Sequence, residues 1–225
     1  MGVTLLMAVY NGVEFFEESL KSVISQTYKD WELLIGINGH ERHSDTEKLI
    51  TSIIKKHVPV AQKNQIKVTW TPEPGKSKVL NKMVPLARYP KIGILDVDDL
   101  FMPNKLEKQM SLTEKYDVVG TQCYYMYDSV KSTFMPEIPY GPVTRFVPNP
   151  IINSSVVMSK ELAHWDTKIE NGTEDYDLWL NLNSQGVLFY NVQEPLIYHR
   201  IHQKSHFNTG KNSDVSGLLQ RYLTS

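Results

Sequence analysis

Over roughly its first hundred residues the chain alternates short apolar runs with amphipathic helical stretches, and this alternation leaves few folds open. Val3 to Tyr10 is almost wholly apolar, as a central strand of a parallel sheet covered on both faces must be. Asn11-Gly12 breaks it. Between Glu14 and Gln26, the residues Phe16, Leu20, Val23 and Ile24 recur at helical spacing. Trp31 to Ile37 is a second short run, closed by Asn38-Gly39. Ser44 and Glu47 stand at capping-box spacing ahead of Leu49, Ile50, Ile53 and Ile54, which share one helical face. Ile66, Val68 and Trp70 alternate as a third strand, and a short helix follows from about Lys78 to Val84. The pattern predicts an α/β fold with a mostly parallel central sheet flanked by helices.

The next apolar run, Ile92-Gly93-Ile94-Leu95, stops on Asp96, Asp98 and Asp99, three carboxylates within four residues. Carboxylates are rarely buried without partners, so this run reads as a strand whose acidic end leaves the core. Collected carboxylates repel one another unless a cation or a donor lies between them. A magnesium or manganese ion completed by phosphate is one solution. An acidic loop that caps the segment starting at Pro103 is the other, and spacing alone does not choose between them.

From Pro103 a helix is expected to about Lys115, then a strand over Val118 to Cys123. Tyr124 to Asn153 contains Pro136, Pro139, Pro142, Pro148 and Pro150 without helical period, which predicts long loops and short or edge strands. Ser154 to Met158 returns to a strand pattern, Asp177 to Asn183 reads as a helix with Leu178, Trp179 and Leu182 inward, and Val187 to Val192 and Leu196 to Tyr198 read as two closing strands. Beyond His206 the chain is polar, with a partial helix expected over Val215 to Leu223. No linker divides the 225 residues, so one domain is expected, with a regular half to about residue 100, a more irregular half to about 206 and a tail.

Composition narrows the classes. A formal charge of -1 gives no case for a nucleic-acid surface. With one cysteine, Cys123, neither an internal disulfide nor a thiolate metal cage is available. No stretch reaches transmembrane length, and Val3 to Val9 is short for a signal peptide and has no basic leader. A cytoplasmic protein is expected, with peripheral membrane contact left open. The sequons Asn153-Ser154-Ser155 and Asn171-Gly172-Thr173 therefore carry no weight as glycosylation sites.

Chemistry concentrates at strand ends: Asn11-Gly12, Asn38-Gly39 and Asp96 to Asp99 outline one cleft. Gly75-Lys76-Ser77-Lys78 lacks the full phosphate-loop pattern, although Lys76 and Lys78 could meet a phosphate; solvated lysines fit equally well. Glu170, Glu174, Asp175 and Asp177 form a second acidic cluster. Asp175, just ahead of the expected helix, is a cap by default and otherwise a general base kept ionised by the helix end and a nearby cation. In Tyr198-His199-Arg200-Ile201-His202, alternation puts Arg200 and His202 on one face, where an arginine can hold a phosphate and an imidazole can ligate a cation.

These segments together carry a resemblance. Met7-Ala8-Val9-Tyr10-Asn11-Gly12, then Glu17, Ser19, Leu20, Ser22 and Val23, then Gln26-Thr27-Tyr28 and Trp31-Glu32-Leu33 look like the opening of the family 2 glycosyltransferases. The likeness continues through Gly75 and Asn81, the aspartate-x-aspartate motif at Asp96-Val97-Asp98-Asp99, Glu174-Asp175 and Arg200-Ile201-His202, and so covers residues 3 to 206. It implies the GT-A fold and an inverting, metal-dependent transfer of sugar from a nucleoside-diphosphate sugar to an acceptor hydroxyl. Ala8, Tyr10, Asn38, Lys78, Asp96, Asp98, Asp99 and Arg200 are then expected on the donor side, with Asp99 either supporting the loop or approaching the sugar. Asp98 and His202 would hold a manganese or magnesium ion, and Asp175 would be the base. Glu174, Asn153, Ser154 and Trp179 are expected on the acceptor side.

Two departures bear on detail. Many family members have two aspartates where this chain has Ile37-Asn38, which weakens the choice among nucleotides: a UDP-sugar is favoured by the resemblance, but GDP and dTDP stay open. The glutamine-x-x-arginine-tryptophan motif of processive synthases is absent, which points to a non-processive transferase. A sugar nucleotidyltransferase and a catalytically silent sugar-binding module remain as alternatives.

Overall fold

The computed structural model describes residues 1–169, 172–202 and 215–223. Glu170, Asn171 and most of the polar stretch beyond His202 lie outside the described residues. The elements in order are β1 (Val3–Val9), α1 (Phe16–Ile24), β2 (Trp31–Asn38), α2 (Asp45–His57), β3 (Ile66–Thr71), α3 (Lys76–Met83), β4 (Lys91–Ile94), β5 (Leu100–Phe101), α4 (Lys105–Met110), β6 (Val118–Tyr127), β7 (Val130–Lys131), β8 (Gly141–Pro142), β9 (Val157–Ser159), α5 (Glu174–Ser184), β10 (Phe189–Ile201) and α6 (Val215–Leu223).

One sheet runs in the order β3-β2-β1-β4-β9-β6-β10-β5, with β7 on β6 and β8 on β10. The first half is parallel, β1 pairing β2 from Val3↔Trp31 to Val9↔Ile37 and β4 from Val3↔Lys91 to Leu6↔Ile94. The side-chain alternation of β1 divides the core. Leu5, Met7 and Val9 face α1, α2 and α4 with Phe16, Leu20, Ile50 and Leu106. Leu6 faces α3, α5 and α6 with Leu80, Met83, Tyr176 and Trp179. Gly36 lets α3 lie close on β2, because a Cβ there would come within 2.4 Å of Val79 Cγ2.

Winding reverses between β1 and β4: β2 and β3 lie on one side of β1, and β4 on the other. In open α/β sheets ligands bind outside the carboxyl ends of the strands at such a reversal. Here that is where Tyr10 follows β1 and Asp96 follows β4.

The back half departs from expectation in several places. β9 enters antiparallel between β4 and β6, preceded by a 3-10 turn over Asn153–Ser155 where the sequence suggested strand. The two expected closing strands are one, β10, with register shifts around Pro195. A bulge tolerates a proline, which has no N–H for the ladder. The helix expected from Pro103 to Lys115 is only α4, six residues long. α5 begins three residues earlier than expected, so Asp175 lies inside its first turn. α6 matches the expected Val215 to Leu223.

Candidate active site

The Asp96–Asp99 turn closes with Asp99 N donating to Asp96 O at 3.1 Å, and its three carboxylates point to different partners. Asp96 meets Lys76 Nζ at 2.5 Å, accepts from Asn153 Nδ2 at 3.0 Å, and donates its backbone N–H to Ser154 Oγ at 3.0 Å. Burial works to raise this carboxyl, but Lys76 and the hydrogen bonds outweigh it and hold it below the ordinary carboxylate range. Asp98 Oδ2 lies 3.0 Å from His202 Nε2, while burial and the carboxylates of Asp99 and Asp96 push Asp98 up. Asp99 is fully buried, accepting from Arg200 N at 2.8 Å and facing His199 Nδ1 at 3.1 Å. Burial would lower the His199 imidazole, but the charge and hydrogen bond of Asp99 prevail and push it up to about 9. Asp99 is thus enclosed, with its carboxylate bonded to the β10 strand.

The expected face of β10 forms: Arg200 and His202 both lie against Phe15, at 4.4 Å and 4.9 Å from its ring. Arg200, however, is spent internally. Its side chain has no exposed surface. Nε donates to Asp98 O at 2.8 Å, one terminal nitrogen to Glu18 Oε2 at 2.6 Å and the other to Asp128 O. The expected phosphate ligand is instead a buried clamp joining α1, the aspartate turn and the β6–β7 turn.

Asn38 is likewise committed. It is buried, donating from Nδ2 to Val9 O at 3.1 Å and accepting from Gly75 N at 3.1 Å. The amide ties the ends of β1 and β2 to the entry of α3 and has no free edge for a nucleobase. Tyr10, 49% exposed, stands beside His40 with ring centroids 5.7 Å apart, and Ala8 is part-buried one strand position inside it. Lys78, the third residue of α3, is part-buried.

On the other wall, Asp175 is the second residue of α5. The N-cap position is Thr173, and among the described residues Asp175 accepts from its neighbour Tyr176 N at 2.8 Å, so Asp175 does not hold the N-cap position expected by default. Burial pushes its carboxyl up to about 6 against the pull of Lys76, with Asp96 and Glu174 adding to the rise. The sequence argument from helix end and cation had the opposite sign; burial is the larger effect. A base near 6 remains ionised at neutral pH and is well matched to proton acceptance. Glu174 Oε1 accepts from Gly172 N at 3.2 Å.

Of the expected acceptor residues, Asn153 and Ser154 are both hydrogen-bonded to Asp96. Trp179 is fully buried and packs edge-on to Phe189, ring centroids 6.3 Å apart, so it underpins α5 and offers no surface to an acceptor. Sequence reasoning assigned no role to His199, to Glu18 or to Lys76 as the partner of Asp96. His199 lay within a flagged cluster, whereas no local signal marks Glu18. Among the described residues no group of three or more His, Cys, Asp or Glu side chains is arranged to hold a metal ion.

A family model described as "Glycosyl transferase family 2" matches residues 4–212. The chain is 29% identical over 215 residues to the O-antigen biosynthesis glycosyltransferase WbnJ of Escherichia coli, covering 90% of this chain and 81% of that protein. It is 26% identical over 214 residues to an E. coli relative named UDP-Glc:alpha-D-GlcNAc-diphosphoundecaprenol beta-1,3-glucosyltransferase WfaP, covering 90% and 78%. Among solved structures, S. aureus TarS 1-349 in complex with UDP-GlcNAc superposes with a TM-score of 0.76 at 12% identity, over all of this chain and 66% of that one. The mannosyltransferase PcManGT from Pyrobaculum calidifontis, in complex with GDP-Man and Mn2+, superposes with a TM-score of 0.65 at 14% identity, over 98% and 61%. The chain thus spans about two thirds of these solved chains, and at such identities they speak for the fold. Sheet order, cleft and family match agree: this chain belongs to glycosyl transferase family 2 and has its GT-A-like fold.

Proposed function

We propose that the protein is an inverting, non-processive transferase that moves a sugar from a nucleoside-diphosphate sugar to a hydroxyl of a glycan or glycoconjugate. The observation that carries this reading is the packing of α5, which begins at Glu174-Asp175, against α3, whose Lys76 is ion-paired to Asp96: the proposed base and the aspartate turn lie on elements that share one core. A UDP-sugar is the favoured donor, since the names of WfaP and of the TarS complex both carry one. Tyr10 supplies an exposed aromatic face for the base.

Asp175 takes the proton of the acceptor hydroxyl as its oxygen attacks the anomeric carbon, and the bond to the diphosphate breaks on the opposite side. One displacement inverts the centre. The two helix-borne walls hold the reactants in line, which supplies a large share of the rate. Asp98 and His202 would hold a divalent cation. The carboxylate oxygen suits manganese or magnesium, the imidazole nitrogen suits manganese better than magnesium, and their 3.0 Å contact places the two side by side. When bound, the cation supplies counter-charge to the leaving diphosphate.

The test is Asp175→Asn, assayed for donor binding by calorimetry and for nucleoside-diphosphate release with UDP-glucose, UDP-N-acetylglucosamine and GDP-mannose, with and without manganese. Binding persists and transfer falls by about two orders of magnitude or more. Near-normal transfer would remove Asp175 as base. Release of pyrophosphate in place of nucleoside diphosphate would indicate a nucleotidyltransferase.

A further inference from the structure

With Asn38 bonded inside the fold to Val9 O and Gly75 N, the choice of nucleobase falls to another group at the ends of β1 and β2. We propose that His40 is the specificity-determining residue for the base: its Nδ1 accepts a hydrogen bond from a base whose ring nitrogen carries a hydrogen, so that uracil, thymine and guanine are taken and cytosine and adenine refused. This rests on the reading of the chain as a transferase that uses a nucleoside-diphosphate sugar.

The residue is anchored through both its ring and its main chain. His40 Nε2 lies 2.6 Å from Tyr10 O, and His40 O accepts from Trp70 Nε1 at 2.7 Å. Trp70 belongs to β3, and the Arg42 guanidinium lies 5.5 Å from its ring. Gly39 N donates to Thr71 O at 3.1 Å. The loop after β2 is therefore tied to the end of β1 on one side and to β3 on the other. Tyr10 is placed by the same arrangement. Gly39 has φ 69°, and a Cβ there would come within 2.6 Å of Tyr10 Cε2, so the tyrosine ring rests on the bare glycine. The Tyr10 and His40 rings stand with centroids 5.7 Å apart, tilted by 48°. A base stacked on the exposed Tyr10 ring then meets His40 along its edge.

The partner fixes the tautomer. A main-chain carbonyl can only accept, so Nε2 carries the ring hydrogen and donates to Tyr10 O, and in the neutral imidazole Nδ1 is an acceptor. Among the described residues Nδ1 has no hydrogen-bond partner. Uracil and thymine present N3–H, and guanine N1–H, on the edge away from the ribose. Cytosine N3 and adenine N1 carry a lone pair at that place, which would face the lone pair of Nδ1. The first group gains a bond, and the second leaves two acceptors opposed. A site built around a donor on its ligand rejects an analogue that lacks it more strongly than the bond alone is worth.

Calorimetry on the full chain with manganese compares UDP, CDP and UDP methylated at uracil N3. The parent binds UDP about tenfold or more tighter than either of the others. His40→Gln separates the two nitrogens: its amide nitrogen stands where Nε2 does and keeps the bond to Tyr10 O, but nothing replaces Nδ1. In this variant the melting temperature stays and the preference for UDP over both analogues collapses; His40→Ala loses the preference as well. A parent without preference, or a preference that survives both substitutions while the three nucleotides weaken together, overturns the proposal and leaves His40 as a loop tie only. If neither variant folds, nitrogen NMR of the parent decides: the His40 Nδ1 resonance moves toward its hydrogen-bonded position with UDP and stays still with the methylated analogue, and a still signal with both overturns the proposal. These readouts need no acceptor and no turnover. Lost discrimination leaves the transferase reading intact, whereas failure of every nucleotide to bind removes the donor reading and this proposal with it.

Discussion

Arg200→Lys separates a clamp from a ligand. In the structure the guanidinium is fully enclosed and makes two directional bonds to main-chain oxygens, those of Asp98 and Asp128, and a third to Glu18. Glu18 is about half exposed, so solvent screens that pair and it is set aside. A hydrogen bond from a charged donor contributes about 1.5–3 kcal/mol. Lysine keeps the charge and the stem but has one nitrogen, which cannot span both carbonyls. One bond is lost and one buried carbonyl is left unmade, for a net destabilisation of about 2–3 kcal/mol. For a chain of 225 residues this lowers Tm by about 4–12 °C. Circular dichroism melts measure it, paired with calorimetric titration of UDP in manganese. The clamp predicts a clear loss of Tm, with any loss of affinity following from the displaced Asp98. Unchanged Tm with a large loss of UDP affinity would refute the reasoning, because that is what a phosphate ligand gives.

Two more predictions test other committed groups. Asn38→Asp puts a carboxylate oxygen against Val9 O in place of a donor, which costs about 1–3 kcal/mol at neutral pH and less in acid as the new carboxyl takes up a proton. Thermal melts at two pH values check it, and higher UDP affinity without loss of stability would show that position 38 reads the base after all. Lys105 is fully buried, its Nζ donating to Gln109 Oε1 at 2.6 Å, and burial holds it well below the usual lysine range. Between its folded and unfolded values the unfolded chain binds more protons, so stability rises with pH up to the ordinary lysine range. Urea midpoints measured at rising pH below the ordinary lysine range should show that slope in the parent and not in Lys105→Met; equal slopes would contradict a lowered, buried Lys105.

How much of this was legible in the sequence depended on how local the cause was. β1 and β2 were readable as short, nearly unbroken apolar runs, and α1 because Phe16, Leu20 and Val23 recur at helical spacing. Ser44 does cap α2, accepting from Glu47 N at 3.3 Å, because a cap is decided within four residues. β9 was expected but started three residues early, and its antiparallel entry was not legible because its pairing with β4 and β6 depends on residues far away in the chain. β10 was split in two because Glu194-Pro195 reads as a break, and only the paired β6 shows that the strand continues through a bulge. At the site, residue types identified the cleft, but Arg200, Asn38 and Trp179 were assigned outward roles by analogy. Their burial is a tertiary fact.

The insertion of β9 has a consequence for assembly. Asn153 and Ser154, which lead into it, hold Asp96 from 57 and 58 residues away, and the Lys76 contact of Asp96 is completed inside that frame. The donor-side turn is thus closed by a segment synthesised well after the strand that carries it. A fragment ending near residue 100 would contain β1 to β4 and every expected nucleotide contact of the first half, yet its Asp96 turn would lack the amide and hydroxyl that fix it. Such long loop closures are slow to form, so nucleotide binding should develop late in refolding, together with the acceptor wall and not ahead of it.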